Sequence, residues 1–189
     1  MKLIHSRKAQ RAFFGLSLLL SALAHAPEAS AQRVAVKTNV LDWATMSANF
    51  TAEARLSRRL SLQLGIAGNP THINVANIQT TNFRIEPELR YWFNRPMARH
   101  FVALSATAAT YNLRFKDRHF NGDAVAAGFS YGYALVLSDH WNMEFEAGVG
   151  LASISAKDYR GDKAPASKNY NHFKPVPIRL GLTFAYIFK

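Results

Sequence analysis

Hydrophobic and polar residues alternate one by one along much of this chain, and the last segment shows this most clearly. Its even positions carry large apolar residues, namely Ile178, Leu180, Leu182, Phe184, Tyr186 and Phe188. Its odd positions from Pro177 to Ala185 carry small or polar residues. Because successive side chains of a β-strand point to opposite faces, this period of two predicts a strand with one apolar and one polar face.

The same alternation recurs along the chain and predicts eight strands. They lie at about 34–41, 48–56, 60–68, 82–93, 101–112, 124–137, 141–153 and 175–188. The connections 42–47, 57–59, 94–100 and 138–140 are short, whereas 69–81, 113–123 and 154–174 are long. Short periplasmic turns and long outer loops are typical of barrels in the outer membrane. The predicted fold class is therefore all-β: an eight-stranded antiparallel transmembrane up-and-down β-barrel.

Pro87 lies inside the fourth predicted strand. Proline has no backbone N–H to donate to a strand ladder. We therefore expect a bulge or a bend in the strand pairing at this position.

The first 31 residues have the features of a secretory signal peptide. Basic residues precede an apolar run from Ala12 to Ala24, which is too short to span a bilayer as a helix. Ala29 and Ala31 then supply the small residues of a cleavage site. We predict a cleaved signal peptide over 1–31 and a single barrel domain over 32–189. The alternative, an N-terminal membrane anchor, requires a longer apolar run.

Composition and charge fit this interpretation. The chain has no Cys, so no disulfide stabilises it and no thiol performs chemistry. Removing the signal peptide takes away four bases and one acid, which leaves 19 bases, 11 acids and a net charge of +8. A basic excess suits an anionic partner. Export argues against nucleic acid and favours the phosphate-rich lipopolysaccharide of the outer leaflet, although ordinary solvated charges explain the excess equally well.

Charged residues occupy the polar faces of several predicted strands. If the apolar faces contact lipid, these side chains point into the barrel, whose eight strands leave room only for side chains. Unpaired charges would be costly there, so five acids and five bases predict a closed ion-pair network. A narrow ion or proton path is the alternative. The ten residues are Lys37, Glu53, Arg55, Arg84, Glu86, Glu88, Arg90, Glu144, Glu146 and Arg179.

A search for catalytic or metal-binding patterns is negative. The histidines show no metal-ligand spacing. Ser138, Asp139 and His140 are adjacent in a tight turn, where they cannot align as a triad. His172-Phe173-Lys174 lacks the His-x-Ser-Asn signature of barrel lipid A deacylases. We therefore predict neither enzymatic activity nor a cofactor.

The segment 154–174 combines bases with aromatics, which suits the headgroup region of a membrane or a protein partner. An ordinary surface loop is the alternative. The candidate binding residues are Lys157, Tyr159, Arg160, Lys163, Lys168 and Tyr170.

Several short motifs together carry a resemblance to a known family. They are Lys37–Leu41, Pro87–Phe93, Ser130–Tyr133 followed by Trp141–Glu144, and the terminal Tyr186–Lys189. The chain resembles a family of small exported barrel proteins that is classed as a domain of unknown function, occurs mainly in gut and oral anaerobes and is often encoded beside fimbrial genes. The resemblance implies an outer-membrane barrel linked to fimbriae or the cell envelope, and it implies no catalytic residues.

The end of the chain is also similar to the signal that the barrel-assembly machinery recognises. That signal combines a glycine with spaced aromatics, here Gly181, Phe184, Tyr186 and Phe188. Taken together, we expect a monomeric barrel in the outer membrane of a Gram-negative bacterium, with a structural, adhesive or fimbria-accessory role. The partners expected are lipopolysaccharide, the assembly machinery and fimbrial or envelope proteins. An outer-leaflet lipid-modifying enzyme and a narrow channel are the rival functions.

Overall fold

A computed structural model describes residues 33–75, 78–115, 118–160, 165 and 167–188. The chain divides into two units, Met1–Gln32 and Arg33–Lys189; the second contains all the described residues, and the predicted signal peptide lies outside them. Eight antiparallel strands form a closed barrel in sequence order, with the last strand paired to the first. They are β1 (Val34–Asn39), β2 (Ala48–Arg55), β3 (Leu60–Val75), β4 (Ile78–Trp92), β5 (Arg99–Phe115), β6 (Arg118–Val136), β7 (Trp141–Arg160) and β8 (Tyr170–Phe188).

The strands differ greatly in length, which corrects the prediction of long loops. β1 and β2 have 6 and 8 residues, whereas β3 to β8 have 15 to 20. Most of the predicted loops 69–81, 113–123 and 154–174 therefore continue the strands as hairpins. We call the part in which all eight strands pair the eight-stranded ring, and the parts of β3 to β8 beyond it the extended hairpins.

A short helix, α1 (Val40–Ala44), connects β1 to β2, where the sequence predicted the end of a strand and a loop. The side chain of Asn39 accepts a hydrogen bond from Leu41 N (3.1 Å) and so caps the helix. Trp43 Nε1 donates to Thr38 Oγ1 (2.7 Å), which ties the helix back to β1. In the described part of the chain, no helix has the length and apolar character needed to cross a membrane.

The bulge expected at Pro87 is absent. Pro87 pairs with Leu64 of β3 in unbroken register, and the β4–β5 ladder has the same register on both sides of Glu86 and Pro87. The missing N–H therefore interrupts the pairing with β5 without shifting it.

Register shifts occur elsewhere, between Asn69 and Ile73 and at Gly148/Val149. The second shift changes the face on which Ile178 lies. A Cβ added to the inward-facing Gly128 would meet Ile178 Cδ1. The side chain of Ile178 therefore lies inside the barrel and not on the outer apolar face.

The barrel is inside-out compared with a soluble protein. Its exposed side chains include 28 large apolar residues, such as Phe129 and Val149, each 72% exposed. Its largest fully buried side chains include Arg90 together with Glu53, Glu88 and Glu144. Buried apolar residues are mostly alanines, with Trp92 and Phe101 forming the main aromatic contact. The polar faces therefore point inward and the apolar faces point outward.

Candidate functional site: a buried charge cluster

The interior of the eight-stranded ring contains a continuous set of ion pairs, which we call the lumen network. It includes nine of the ten predicted residues: Lys37, Glu53, Arg84, Glu86, Glu88, Arg90, Glu144, Glu146 and Arg179. Asp42 of α1 joins it through Arg84. Alternation places the charges of β1, β2, β4, β7 and β8 on the inner face, and closure of the barrel brings them together.

Arg90 is the centre of the network. Its Nη1 lies 2.8 Å from Glu144 Oε2 and 3.3 Å from Glu53 Oε2, and its Nη2 lies 2.7 Å from Glu146 Oε2. Its Nε donates to Glu88. One guanidinium thus binds four carboxylates from three strands, which uses the planar, multi-donor geometry that only arginine provides.

The aromatic pair of the ring lies beside this guanidinium. Arg90 Cζ is 4.2 Å from the centre of the Phe101 ring and 6.0 Å from that of Trp92. Trp92 Nε1 donates to Ser61 Oγ (2.7 Å), and Ser61 donates to Glu53. The aromatic core and the lumen network therefore form one continuous structure, with a cation–π contact between them.

Lys37 and Arg179 connect β1 and β8 to the cluster. Lys37 Nζ lies 2.7 Å from both carboxylate oxygens of Glu144 and also pairs with Glu53. Arg179 lies 2.8 Å from Glu86 and 2.8 Å from Glu88. The pairs of Arg179 link β8 to β4 across the interior, in addition to the backbone ladder that closes the barrel.

Hydroxyl groups that were not among the predicted site residues complete the network. Ser105 Oγ donates to Glu88 (2.8 Å), and Ser130 Oγ donates to Glu146 (2.6 Å). With Ser61 on β3, these serines supply members from the strands that carry no network charge. All eight strands therefore contribute to the lumen network. The serines could have been identified from the sequence, because they occupy inward-facing positions of the alternating pattern next to predicted charges.

Two charged residues differ from their predicted placement. Arg55 lies at the end of β2, where its Nε donates to Ser57 O (3.0 Å), and it is not among the residues that the network joins. Asp42, predicted to lie in the loop 42–47, belongs to α1 and pairs with Arg84. The network therefore contains six acids and four bases rather than the balanced set expected from the sequence.

The described members of the predicted loop-binding set lie on the extended hairpins. Lys157, Tyr159 and Arg160 belong to β7 and Tyr170 begins β8, so these four are strand residues rather than loop residues. Lys168 pairs with Asp123, and Lys163 lies outside the described residues. Tyr159 stacks on His119, with ring centres 4.9 Å apart. The described members of this set therefore lie along a single hairpin, formed by β7 and β8, and its connection.

The other positions that the sequence singled out have defined places. Gly181 faces Glu146 on the inner wall, whereas Phe184 and Phe188 are 38% and 48% exposed, and Tyr186 packs edge-on against Phe188. These four residues follow β8 down to its end. Ser138 Oγ accepts from Trp141 N (3.2 Å) as a turn residue. Over the described ranges, no group of three or more His, Cys, Asp or Glu residues is arranged to hold a metal ion.

Comparison with protein families identifies what kind of chain this is. The family described as "Protein of unknown function (DUF3575)" matches residues 16–188. The match covers nearly the whole chain, so the protein belongs to this family. Comparison with curated proteins and with solved structures gives no match.

Proposed function

We propose that this protein is a closed β-barrel of the outer membrane of a Gram-negative bacterium, exported through its signal peptide. The observation that carries this proposal is the inside-out burial: a complete ring of exposed large apolar side chains surrounds an ionic interior. A soluble monomer rarely exposes a continuous apolar surface of this extent. A soluble lipid-carrying barrel would instead need an apolar interior, which the lumen network fills with charge.

The distribution of aromatics supports a membrane position. Trp141 and Phe188 lie near one end of the ring and are 49% and 48% exposed. Trp43 lies near the opposite end and is 56% exposed. Aromatic girdles at both membrane interfaces are a feature of outer-membrane barrels.

The interior supports a closed barrel rather than a channel. The cavity beside Lys37, Glu86 and Arg179 has a volume of about 30 Å³, which is room for about two or three water molecules. Arg90 fills the section next to it with four carboxylates. We therefore propose a non-conducting, non-enzymatic barrel whose extended hairpins serve a structural, adhesive or fimbria-accessory role. Lipopolysaccharide, the barrel-assembly machinery and envelope proteins are its proposed partners.

Neighbouring residues of β8 provide the test. Leu182 pairs with the outward-facing Phe145, whereas Thr183 pairs with Glu144 on the inner wall. We expect Leu182→Arg to lose about 2–4 kcal/mol of stability in the membrane. Thr183→Arg should be tolerated better, because it places a cation beside an acid-rich network.

The measurements are fractionation of the envelope and heat-modifiable migration in gels. The wild type and Thr183→Arg should fractionate with the outer membrane, and Leu182→Arg should be depleted. Recovery of the wild type in the detergent-free periplasm would reject the membrane assignment. Steady single-channel currents from the purified wild type in planar bilayers would reject closure and favour the channel.

A further inference from the structure

Arginines are concentrated at the end of the barrel that carries the short turns. We call this set the arginine rim: Arg33, Arg55, Arg58, Arg59, Arg95 and Arg99. In the described part of this end, Asp139 of the β6–β7 turn is the acidic residue, and it lies in a small cavity lined also by Arg33 and Arg95. The rim therefore has a strong positive excess that the lumen network does not use.

Three of these arginines line one open groove of about 750 Å³. Arg59, Arg95 and Arg99 are all exposed, and the rest of the lining is Phe93, Asn94, Ala98 and Val136. Phe93 and Val136 are 48% and 44% exposed. The groove therefore combines three guanidinium groups with an accessible apolar surface.

The β4–β5 turn that carries two of the arginines is held firmly in place. Met97 is 2% exposed and packs with Ala35 and Ile187 inside the barrel. Asn142 Nδ2 donates to Met97 O, and Ala98 N donates to Arg95 O (3.2 Å). This anchoring fixes the backbone of the turn that places Arg95 and Arg99 at the groove.

Arg99 occupies a backbone conformation that favours glycine. Its φ is 65°, as is that of Met97. A non-glycine residue with positive φ is uncommon and costs conformational energy. The buried side chain of Met97 compensates for its own conformation by anchoring the turn, whereas Arg99 is exposed and has no such packing role. The side chain that this conformation presents is a guanidinium at the edge of the groove.

We propose that this groove binds the phosphate group of an acidic phospholipid in the inner leaflet of the outer membrane, and this inference rests on the proposed function. Arginine binds phosphate through two parallel hydrogen bonds. Arg59 Nη1 donates to Tyr91 Oη (3.1 Å) on the outer apolar wall, and Phe93 follows Tyr91 on the same face. The groove is therefore continuous with the lipid-facing wall, which favours a lipid headgroup over a cell-wall polymer approaching from the periplasm.

The test compares lipid association in reconstituted vesicles. The mature protein with Trp43→Phe retains Trp141 as its exposed tryptophan, and Trp141 accepts a backbone hydrogen bond from Leu137, next to the groove residue Val136. Quenching by brominated phosphatidylglycerol and by brominated phosphatidylethanolamine then gives the ratio of the two association constants. We expect a preference for phosphatidylglycerol of fivefold or more, since each arginine near an anionic lipid contributes a factor of about five.

Two variants and a control identify the groove. Arg59→Gln/Arg95→Gln/Arg99→Gln should reduce the ratio to about one. Arg99→Gly should lower it several-fold while keeping the unfolding midpoint at or above that of the parent, because glycine relieves the positive φ. The control Arg114→Gln/Arg160→Gln/Lys174→Gln removes three positive charges from the extended hairpins and should keep the full preference.

The outcomes separate the groove from the membrane assignment. An inserted wild type without preference, or a triple Gln variant with unchanged preference, would overturn the groove proposal alone. Cosedimentation of the wild type with isolated peptidoglycan, combined with equal affinity for the two lipids, would replace the lipid with a cell-wall ligand. A wild type that does not insert into either vesicle would reject the proposed function, and this inference with it.

Discussion

The eight-stranded ring and the extended hairpins share the same strand pattern but are stabilised differently. In the ring, the side chains of Lys37 and Glu144 form an ion pair in which each is 1% exposed. In the hairpins, the side chains of Lys168 and Asp123 form a pair in which they are 40% and 56% exposed. Exposed pairs contribute little to stability, whereas loss of one partner of a buried pair leaves a charge without compensation. Charge pairs of the same chemistry are therefore essential to the ring and contribute little to the hairpins.

The largest expected effect tests this difference at its centre. Arg90→Met leaves Glu53, Glu88, Glu144 and Glu146 without their shared cation. Because breaking a buried ion pair costs about 3–5 kcal/mol, we expect Arg90→Met to prevent stable folding or to lower the free energy of unfolding by at least that amount. The measurement is urea unfolding in detergent, followed by heat-modifiable migration.

The matched control is Lys168→Met, which removes the cation of the exposed pair. We expect it to change the free energy of unfolding by less than about 0.5 kcal/mol. Equal losses in Arg90→Met and Lys168→Met would show that burial does not separate the two regions.

The ring could be predicted from the sequence because its two faces differ, whereas the extended hairpins could not. In β2 and in residues 83–91 of β4, apolar residues alternate with polar or charged residues without interruption, which determines both the strand and the inward face. Residues 157–160 of β7 are Lys, Asp, Tyr and Arg, so they show no apolar face and were predicted as a loop. Beyond the ring, a strand needs only its neighbour's hydrogen bonds, and these leave little trace in the hydrophobic pattern.

Two glycines of the ring differ in the space around them. Gly132 lies against the Phe101 ring: a Cβ there would be 2.2 Å from Phe101 Cζ and 2.7 Å from Phe145 O. Gly132→Ala therefore forces the buried aromatic core to move, and overpacking of this kind costs about 1–3 kcal/mol. Gly181→Ala is the control, because its Cβ would have no neighbour closer than 3.4 Å.

The measurement is the thermal unfolding midpoint of each of the two alanine variants. We expect Gly132→Ala to unfold at a clearly lower temperature and Gly181→Ala to remain close to the wild type. A Gly132→Ala protein as stable as wild type would mean that Phe101 has room to move, and the ring would then be less tightly packed than its contacts indicate.

The candidate site was predictable to the extent that parity decides which side chains point inward. Parity selected nine network charges correctly for the inner wall, and it failed where the chain leaves regular strand geometry. Asp42 belongs to a helix of five residues, too short to show a helical period, and Arg55 lies at a strand end where a side chain can reach solvent. Ile178 changes face at the register shift beside Gly148. The arginine rim was missed because charges in turns have no pattern that relates one turn to another.

The smallest effect on stability concerns one free edge of the extended hairpins, the edge formed by β8. Within β8, only Thr183–Phe188 pair with β1. In the described structure the segment 170–182 therefore has no strand on the side opposite β7. Pro175 and Pro177 lie in this segment, and prolines protect edge strands from pairing with other chains because they offer no N–H.

We expect Pro175→Thr/Pro177→Thr to change the free energy of unfolding by less than about 0.5 kcal/mol. The double variant should nevertheless form dimers or larger species in detergent, measured by light scattering after gel filtration. Pro87→Thr is the control: Pro87 lies between two paired strands, so this variant should stay monomeric. A monomeric double variant would show that the edge is protected by something other than its prolines.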